Sequence, residues 1–129
     1  MVESPIAREG ESFANVLRRW RRDHDGQAAL AGLDFHERTF AGGQLALESR
    51  LLRVEVLLAE HREREALAIL DRLPFDRGNV PRGRELVTLR GELRINAGRC
   101  QDGRADLASI GGGTDALADR ARHALARCP

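Results

Sequence analysis

The sequence predicts an all-α fold, a short α-solenoid of about three helical hairpins closed by a C-terminal capping helix. Three observations lead there. The small residues Ala29, Ala66 and Gly103 recur at a fixed step of 37 residues, each just inside a short apolar-periodic segment that follows a longer one. Repeats of roughly 20–50 residues mark stacked hairpins, because one hairpin cannot bury its apolar face alone. Every segment carries apolar residues at helical spacing, and none alternates apolar and polar with β-branched enrichment. The division expected is a flexible N-terminal segment over 1–11 and one domain over 12–129. Its repeats fall near 12–43, 44–81 and 82–113, with the cap over 114–127.

The first helix is expected from Ser12, a candidate N-cap, to Asp23, with Phe13, Val16, Leu17 and Trp20 on one stripe. Gly26 separates it from a second, Gln27 to Thr39, that turns Ala29, Leu30, Leu33 and His36 inward. Gly42-Gly43 then gives a stop. The third, Gln44 to Glu60, is the most apolar, with Leu47, Leu51, Val54 and Leu58 as its face and Leu45, Leu52 and Val56 widening it. The fourth, Glu63 to Leu73, presents Ala66, Ile69, Leu70 and Leu73 before Pro74 ends it. A loop from Asp76 to Gly83 leads to the fifth, Arg84 to Ala97, with Leu86, Leu89 and Leu93 together. The sixth, Gln101 to Ile110, is short, and Gly111-Gly112-Gly113 reads as a hinge. Thr114 is the expected cap of the seventh, Asp115 to Arg127, whose polar back suits a solenoid end. Leu51, Val54, Leu58, Leu70 and Leu89 are the expected core of the central repeats.

Composition narrows the function classes. The net charge of +1 is too balanced for bulk attraction to nucleic acid or anionic membranes. All 21 basic residues are Arg, with no Lys and no Tyr, the bias of a GC-rich bacterial genome. The longest apolar run, Val54 to Ala59, falls far short of the roughly 20 residues that span a bilayer. Met1 to Pro5 carries an acid where a signal peptide needs a basic region, so neither export by its own signal nor membrane insertion is expected. Cys100 and Cys128 are either incidental thiols or a staple between the last helix and the third repeat. The default compartment is the cytoplasm, or the periplasm if the two cysteines are bonded within a longer membrane-anchored protein.

The chain resembles the tetratricopeptide (TPR) family, whose unit is a helix–turn–helix of about 34 residues. The segment Leu89-Arg90-Gly91-Glu92-Leu93-Arg94-Ile95-Asn96-Ala97-Gly98-Arg99 carries the resemblance best, with Gly91 at the small position of the first helix and Gly98 at the turn. Leu107 and Ile110 take the apolar positions of the second helix, and Gly103 replaces the usual alanine. In the second repeat Val54 and His61 stand at the small and turn positions, and in the first Leu17 and His24 do. The resemblance implies a protein-interaction scaffold, of the kind found at the C-terminal end of bacterial multi-domain regulatory proteins.

Several constellations have plain structural explanations. Arg18-Arg19-Trp20-Arg21-Arg22 has the residue types of a nucleic-acid contact, but helical phase sends Trp20 inward and leaves the arginines as a solvated face. His24, His36, His61 and the acids beside them lack the spacing that puts two imidazoles on one helical face. His36 is expected to be a satisfied core histidine. His123, Cys128 and Cys100 supply no fourth ligand for a structural zinc. Gly111 to Thr114 has neither the preceding strand nor the lysine of a phosphate loop. No nucleophile–base–orienter set assembles, so no catalysis, cofactor or metal is expected.

The expected function is therefore a non-catalytic protein–protein interaction or scaffolding module. First helices line the concave face of a solenoid, which makes Arg50, Arg53, Arg90 and Arg94 the candidate partner contacts, suited to an acidic peptide or tail. As solvent-facing arginines they are expected to add little to stability. Pairing along the helix with Glu48 and Glu92 is the competing explanation, and a nucleic-acid-linked regulator using Arg18 to Arg22 is the alternative function.

Overall fold

The computed structural model describes residues 4–73 and 82–129. Among them are seven helices and no strand: α1 (Pro5–Asp23), α2 (Gly26–Thr39), α3 (Ala46–Ala59), α4 (Glu63–Leu70), α5 (Gly83–Asn96), α6 (Cys100–Gly111) and α7 (Ala116–Leu125). The stop at Pro74 and most of the loop over 76–83 lie outside the described residues. The chain divides into two compact units, 1–66 and 67–129, with the division inside α4.

Six of the seven helices start and stop within a few residues of expectation, and α2 and α7 carry side-chain caps at their starts. Asp25 accepts from the Ala28 N–H at 3.1 Å and caps α2. Asp115, one residue beyond the expected Thr114, does the same for α7 through the Ala118 N–H at 3.0 Å. The exception is α1. It begins at Pro5, capped by Ser4, so residues 5–11 are helical rather than part of a flexible segment. Proline at the first helical position loses no hydrogen bond that the helix would have made.

The early start of α1 matters for the first unit, because it places Glu9 over the entry to α3. Glu9 is only 4% exposed, and its carboxylate accepts the Gln44 N–H at 3.0 Å and the Leu45 N–H at 2.9 Å. Helix α3 has no side-chain cap of its own, so an acid 35 residues upstream supplies it. Gly43 makes room: a Cβ there would stand 2.2 Å from Glu9 Oε2. Below this cap α1 packs on α2, and α2 on α3. The core holds Trp20, Ala29, Leu33, Leu52 and Val56, with Phe13, Val16, Leu17 and Leu30 around it. The buried stripe of α3 thus runs through Leu52 and Val56 with Val54 and Leu57, while Leu51 and Leu58 are only half-buried. A helix apolar on most sides does not reveal its phase in sequence.

In the second unit α5 packs on α6, and α7 lies against both. Ile95, Leu107, Ile110, Ala121 and Ala124 form the core. Two glycines let α5 and α6 approach closely. A Cβ on Gly91 would meet Leu107 Cγ at 2.6 Å, and one on Gly103 would meet Ile95 Cγ1 at 2.5 Å. Leu70 is buried as expected, whereas Leu89 is half-buried. Cys100 and Cys128 are disulfide-bonded, with Cα atoms 5.8 Å apart. Closing 28 residues in this way is worth about 3–4 kcal/mol in the chain-entropy picture. The Gly111–Gly113 turn is held by Arg122, whose Nη1 donates to the Gly111 and Gly113 carbonyls at 2.7 and 2.8 Å.

The three expected turn positions share one backbone feature. His24, His61 and Gly98 all have positive φ, at 50°, 59° and 83°. After α3 the Arg62 N–H donates to the Leu57 carbonyl, and after α5 the Arg99 N–H donates to the Arg94 carbonyl, the six-to-one bond of a left-handed helix stop. The ion pairs beyond these stops also match, Arg62 with Glu65 and Arg99 with Asp102.

The cap from Glu9 gives a direct test. Glu9→Ala leaves two amides at the start of α3 without their charged acceptor, and bonds to charged groups are worth about 1.5–3 kcal/mol net. Urea unfolding of Glu9→Ala is expected to show a lower midpoint by about that loss, and an unchanged midpoint would show that the cap contributes nothing.

Candidate functional site

The four arginines named from sequence are not a common solvent-facing set. Arg90 on α5 is 7% exposed, and its guanidinium grips Asp106 of α6 through two bonds, Nε to Oδ2 at 3.0 Å and Nη2 to Oδ1 at 2.6 Å. Arg94, one turn on, donates Nη1 to the same Asp106 at 2.8 Å and Nη2 to Asp71 Oδ1 at 2.8 Å. Arg99 completes the chain, donating Nη1 to Asp71 Oδ2 at 2.9 Å. Arg53 on α3 reaches back to α2, where Nη2 donates to Asp34 at 2.8 Å and to Glu37 at 3.0 Å. Glu37 also accepts the Ser49 hydroxyl at 3.0 Å. Arg53, Arg90 and Arg94 therefore bridge elements and are buried or half-buried, which corrects the expectation that they face solvent. The expected helix-face partner Glu92 instead holds Arg120 of α7. Only Arg50 is exposed, and it forms no ion pair among the described residues.

Charge position explains the correction. Acids that match these arginines lie 12 to 23 residues away and meet them only after the helices pack. Burial raises the Asp71 carboxyl's pKa, but the hydrogen bonds from Arg99 and Arg94 and their charges outweigh it, so the net shift is downward. A carboxylate with a depressed folded-state pKa adds stability above its ordinary pKa and loses it as pH falls through the folded value.

Among the described residues the first unit holds a groove and a smaller cavity that the sequence does not name. The larger, about 650 Å³, is a groove between α1 and α2 lined by Asn15, Val16, Arg19, Ala28, Ala31, Gly32 and Phe35 among others. Small α2 residues make its floor, and a Cβ on Gly32 would meet Val16 Cγ2 at 3.2 Å. Phe35 stands 60% exposed beside it, an unusual position for a large aromatic ring. The second cavity, about 210 Å³, lies where α2 ends and α3 begins, and its lining includes His36, Phe40, Ser49 and Arg50. Trp20 is buried and donates its indole N–H to Glu55 at 2.7 Å, which removes it as a stacking platform. His36 is buried as expected, but only one of its nitrogens is satisfied.

The ion-pair network makes two predictions. Asp106→Ala removes the carboxylate shared by Arg90 and Arg94, and breaking a buried pair from one side typically costs about 3–5 kcal/mol. The double replacement Arg90→Leu with Asp106→Leu is expected to recover most of that loss in denaturant unfolding. A double variant as unstable as Asp106→Ala would show that the uncompensated buried charge is not what the single variant loses. For Asp71, stability measured from neutral to acid pH is expected to fall more steeply in the native chain than in Asp71→Asn, and parallel curves would show that its pairing does not contribute.

No group of three or more metal-ligating side chains converges among the described residues, and no helix there is long and apolar enough to cross a membrane. Compared with known proteins, the chain matches no family model, no curated protein and no solved structure at a significant level.

Proposed function

We propose that this chain is a non-catalytic, TPR-like scaffolding module of bacterial type that binds another protein through the groove between α1 and α2. The observation that carries the reading is the groove itself, an apolar channel floored by Ala28, Ala31 and Gly32 with Phe35 exposed at its side. Small floor residues admit a backbone or a helix at close range, and an exposed aromatic is the residue type that most often anchors an interface. The three positive-φ residues one repeat apart support the helical-repeat interpretation.

The occupant is an amphipathic helical segment with acidic residues along one edge. Arg19 lines the groove and forms no ion pair among the described residues, and Arg18 is exposed one residue before it. Apolar side chains of the partner would meet Val16 and Phe35, while its carboxylates would meet the guanidiniums in forked hydrogen bonds. The nucleic-acid alternative draws on the same arginines, but the buried Trp20 cannot stack on a base.

Titration with fluorescent helical peptides separates the readings. Peptides with an acidic edge are expected to bind, basic-edged peptides of equal hydrophobicity are not, and Phe35→Ala is expected to weaken binding by about tenfold, or 1.4 kcal/mol. The melting temperature of Phe35→Ala should stay nearly unchanged, because the ring is mostly exposed. Equal binding of both peptide classes would overturn the charge argument. Binding of a single-stranded oligonucleotide, falling steeply with salt, would favour the alternative.

A further inference from the structure

The two cysteines of the disulfide stand at opposite electrical ends of the helices beside them. Cys100 is the first residue of α6, a helix of 12 residues whose start has no side-chain cap. The N–H groups of that first turn are the positive end of the helix dipole. Cys128 lies three residues beyond the end of α7, and its N–H donates to the Leu125 carbonyl at 3.1 Å. It therefore sits at the carbonyl end of its helix, the negative pole. Both cysteines are half-buried against the core of Ile95, Leu107, Ile110, Ala121 and Ala124. The neighbours of Cys128, Arg127 and Pro129, are exposed.

This asymmetry governs how the bond breaks. In thiol–disulfide exchange a thiolate attacks one sulfur and the other departs as a thiolate, and the sulfur with the more stable thiolate departs faster. A helix N-terminus stabilises a thiolate, and a helix C-terminus opposes one. The charged side chains nearby largely cancel. Arg99, just before Cys100, shares its charge between Asp71 and Asp102, and Asp102 is the acid in the first turn of α6. On the other side Arg127 is exposed, where water and salt screen it, and Arg104 donates to the Pro129 carbonyl. The helix ends are the difference that remains. Opening the bond does not by itself release α7. Ala118, Ala121 and Ala124 are buried, Arg84 pairs with Asp115, and Arg122 holds the Gly111 and Gly113 carbonyls.

We propose that the Cys100–Cys128 disulfide is a thiol-exchange site, opened at Cys128 by an external dithiol and leaving Cys100 as the thiolate. One thiolate of the dithiol bonds to Cys128 Sγ, the bond between the two Sγ atoms breaks, and its electron pair stays on Cys100 Sγ. The second thiol then displaces Cys128 from the mixed disulfide. The reagent ends as a disulfide, and the chain has gained two electrons and, through water, two protons. In the reduced chain the negative charge resides on Cys100 in preference to Cys128. The site lies in the second unit and does not rest on the function proposed for the α1–α2 groove.

The test exposes the oxidised, folded chain briefly to reduced glutathione, a monothiol that yields the mixed disulfide as a trappable product. N-ethylmaleimide then captures the free thiol, and digestion with mass spectrometry locates both labels. Glutathione is expected chiefly on Cys128 and the maleimide on Cys100, with the reverse pair in the minority. A second measurement follows iodoacetamide labelling of each cysteine against pH in the reduced chain, with circular dichroism showing that it is still helical. Cys100 is expected to reach half its limiting rate about one pH unit or more below Cys128. Differences in access scale the rates and leave these midpoints in place. If reduction unfolds the chain, the exchange on the oxidised form still decides. Glutathione chiefly on Cys100, equal adducts, no exchange while the chain is folded, or equal midpoints in a folded reduced chain would each overturn the proposal.

Discussion

The constraint on which three of the helix ends depend is a single left-handed residue just past α1, α3 and α5. For an ordinary residue that conformation costs roughly 1–2 kcal/mol, and glycine alone escapes it. This chain places glycine at only one of the three turns, Gly98, and histidine at the other two. The histidines persist because the surrounding bonds fix them. After α3 the Arg62 N–H reaches the Leu57 carbonyl at 2.8 Å, and after α5 the Arg99 N–H reaches the Arg94 carbonyl at 2.7 Å. His24 N–H donates to the Trp20 carbonyl at 2.8 Å, and its ring lies edge-on to the Trp20 indole at 5.5 Å. The side chain that makes the turn strained thus also contributes packing to it.

Once the turns set which helices meet, arginine forks hold them. A guanidinium presents several donors in a plane, so one side chain serves two carboxylates or grips one from both sides. Arg94 does the first with Asp71 and Asp106, and Arg90 does the second with Asp106. Lysine, a compact ammonium, would not reproduce the two-bond grip of Arg90 on Asp106. A composition that reads as genomic bias therefore has a structural use, since the chain contains no lysine and its buried pairs all need the fork. The close approach at Gly91 and Gly103 complements this by bringing Asp106 of α6 beside α5: a Cβ on Gly91 would lie 3.1 Å from Asp106 Cβ.

Much of this architecture is legible in sequence, and the failures have identifiable causes. Helix content and most boundaries follow from period and caps, which are local. The 37-residue register locates the turns even where histidine replaces glycine, because the flanking pattern repeats. The helical state of residues 5–11 escapes detection because its buried member is Glu9, a charged residue where an apolar stripe would be sought. The phase of α3 is ambiguous because leucines and valines surround it. The arginines mislead because sequence displays only neighbours one turn away, whereas their true partners arrive through packing. Phe35 escapes for the opposite reason, as an aromatic ring whose exposure no local pattern announces.

The groove and the His36 ring hide their chemistry in different ways. The groove is a surface that folding leaves open, and its signal is an apolar ring in water. At the His36 cavity the signal is reversed, a polar atom kept from water. Sequence places His36 correctly on the inner face of α2, and that correct placement conceals the unpaired nitrogen, because a buried histidine passes as a finished piece of core. What distinguishes it is the arithmetic of one ring. Its Nδ1 lies 2.8 Å from the Ser12 hydroxyl, whereas Nε2 is buried with no partner among the described residues.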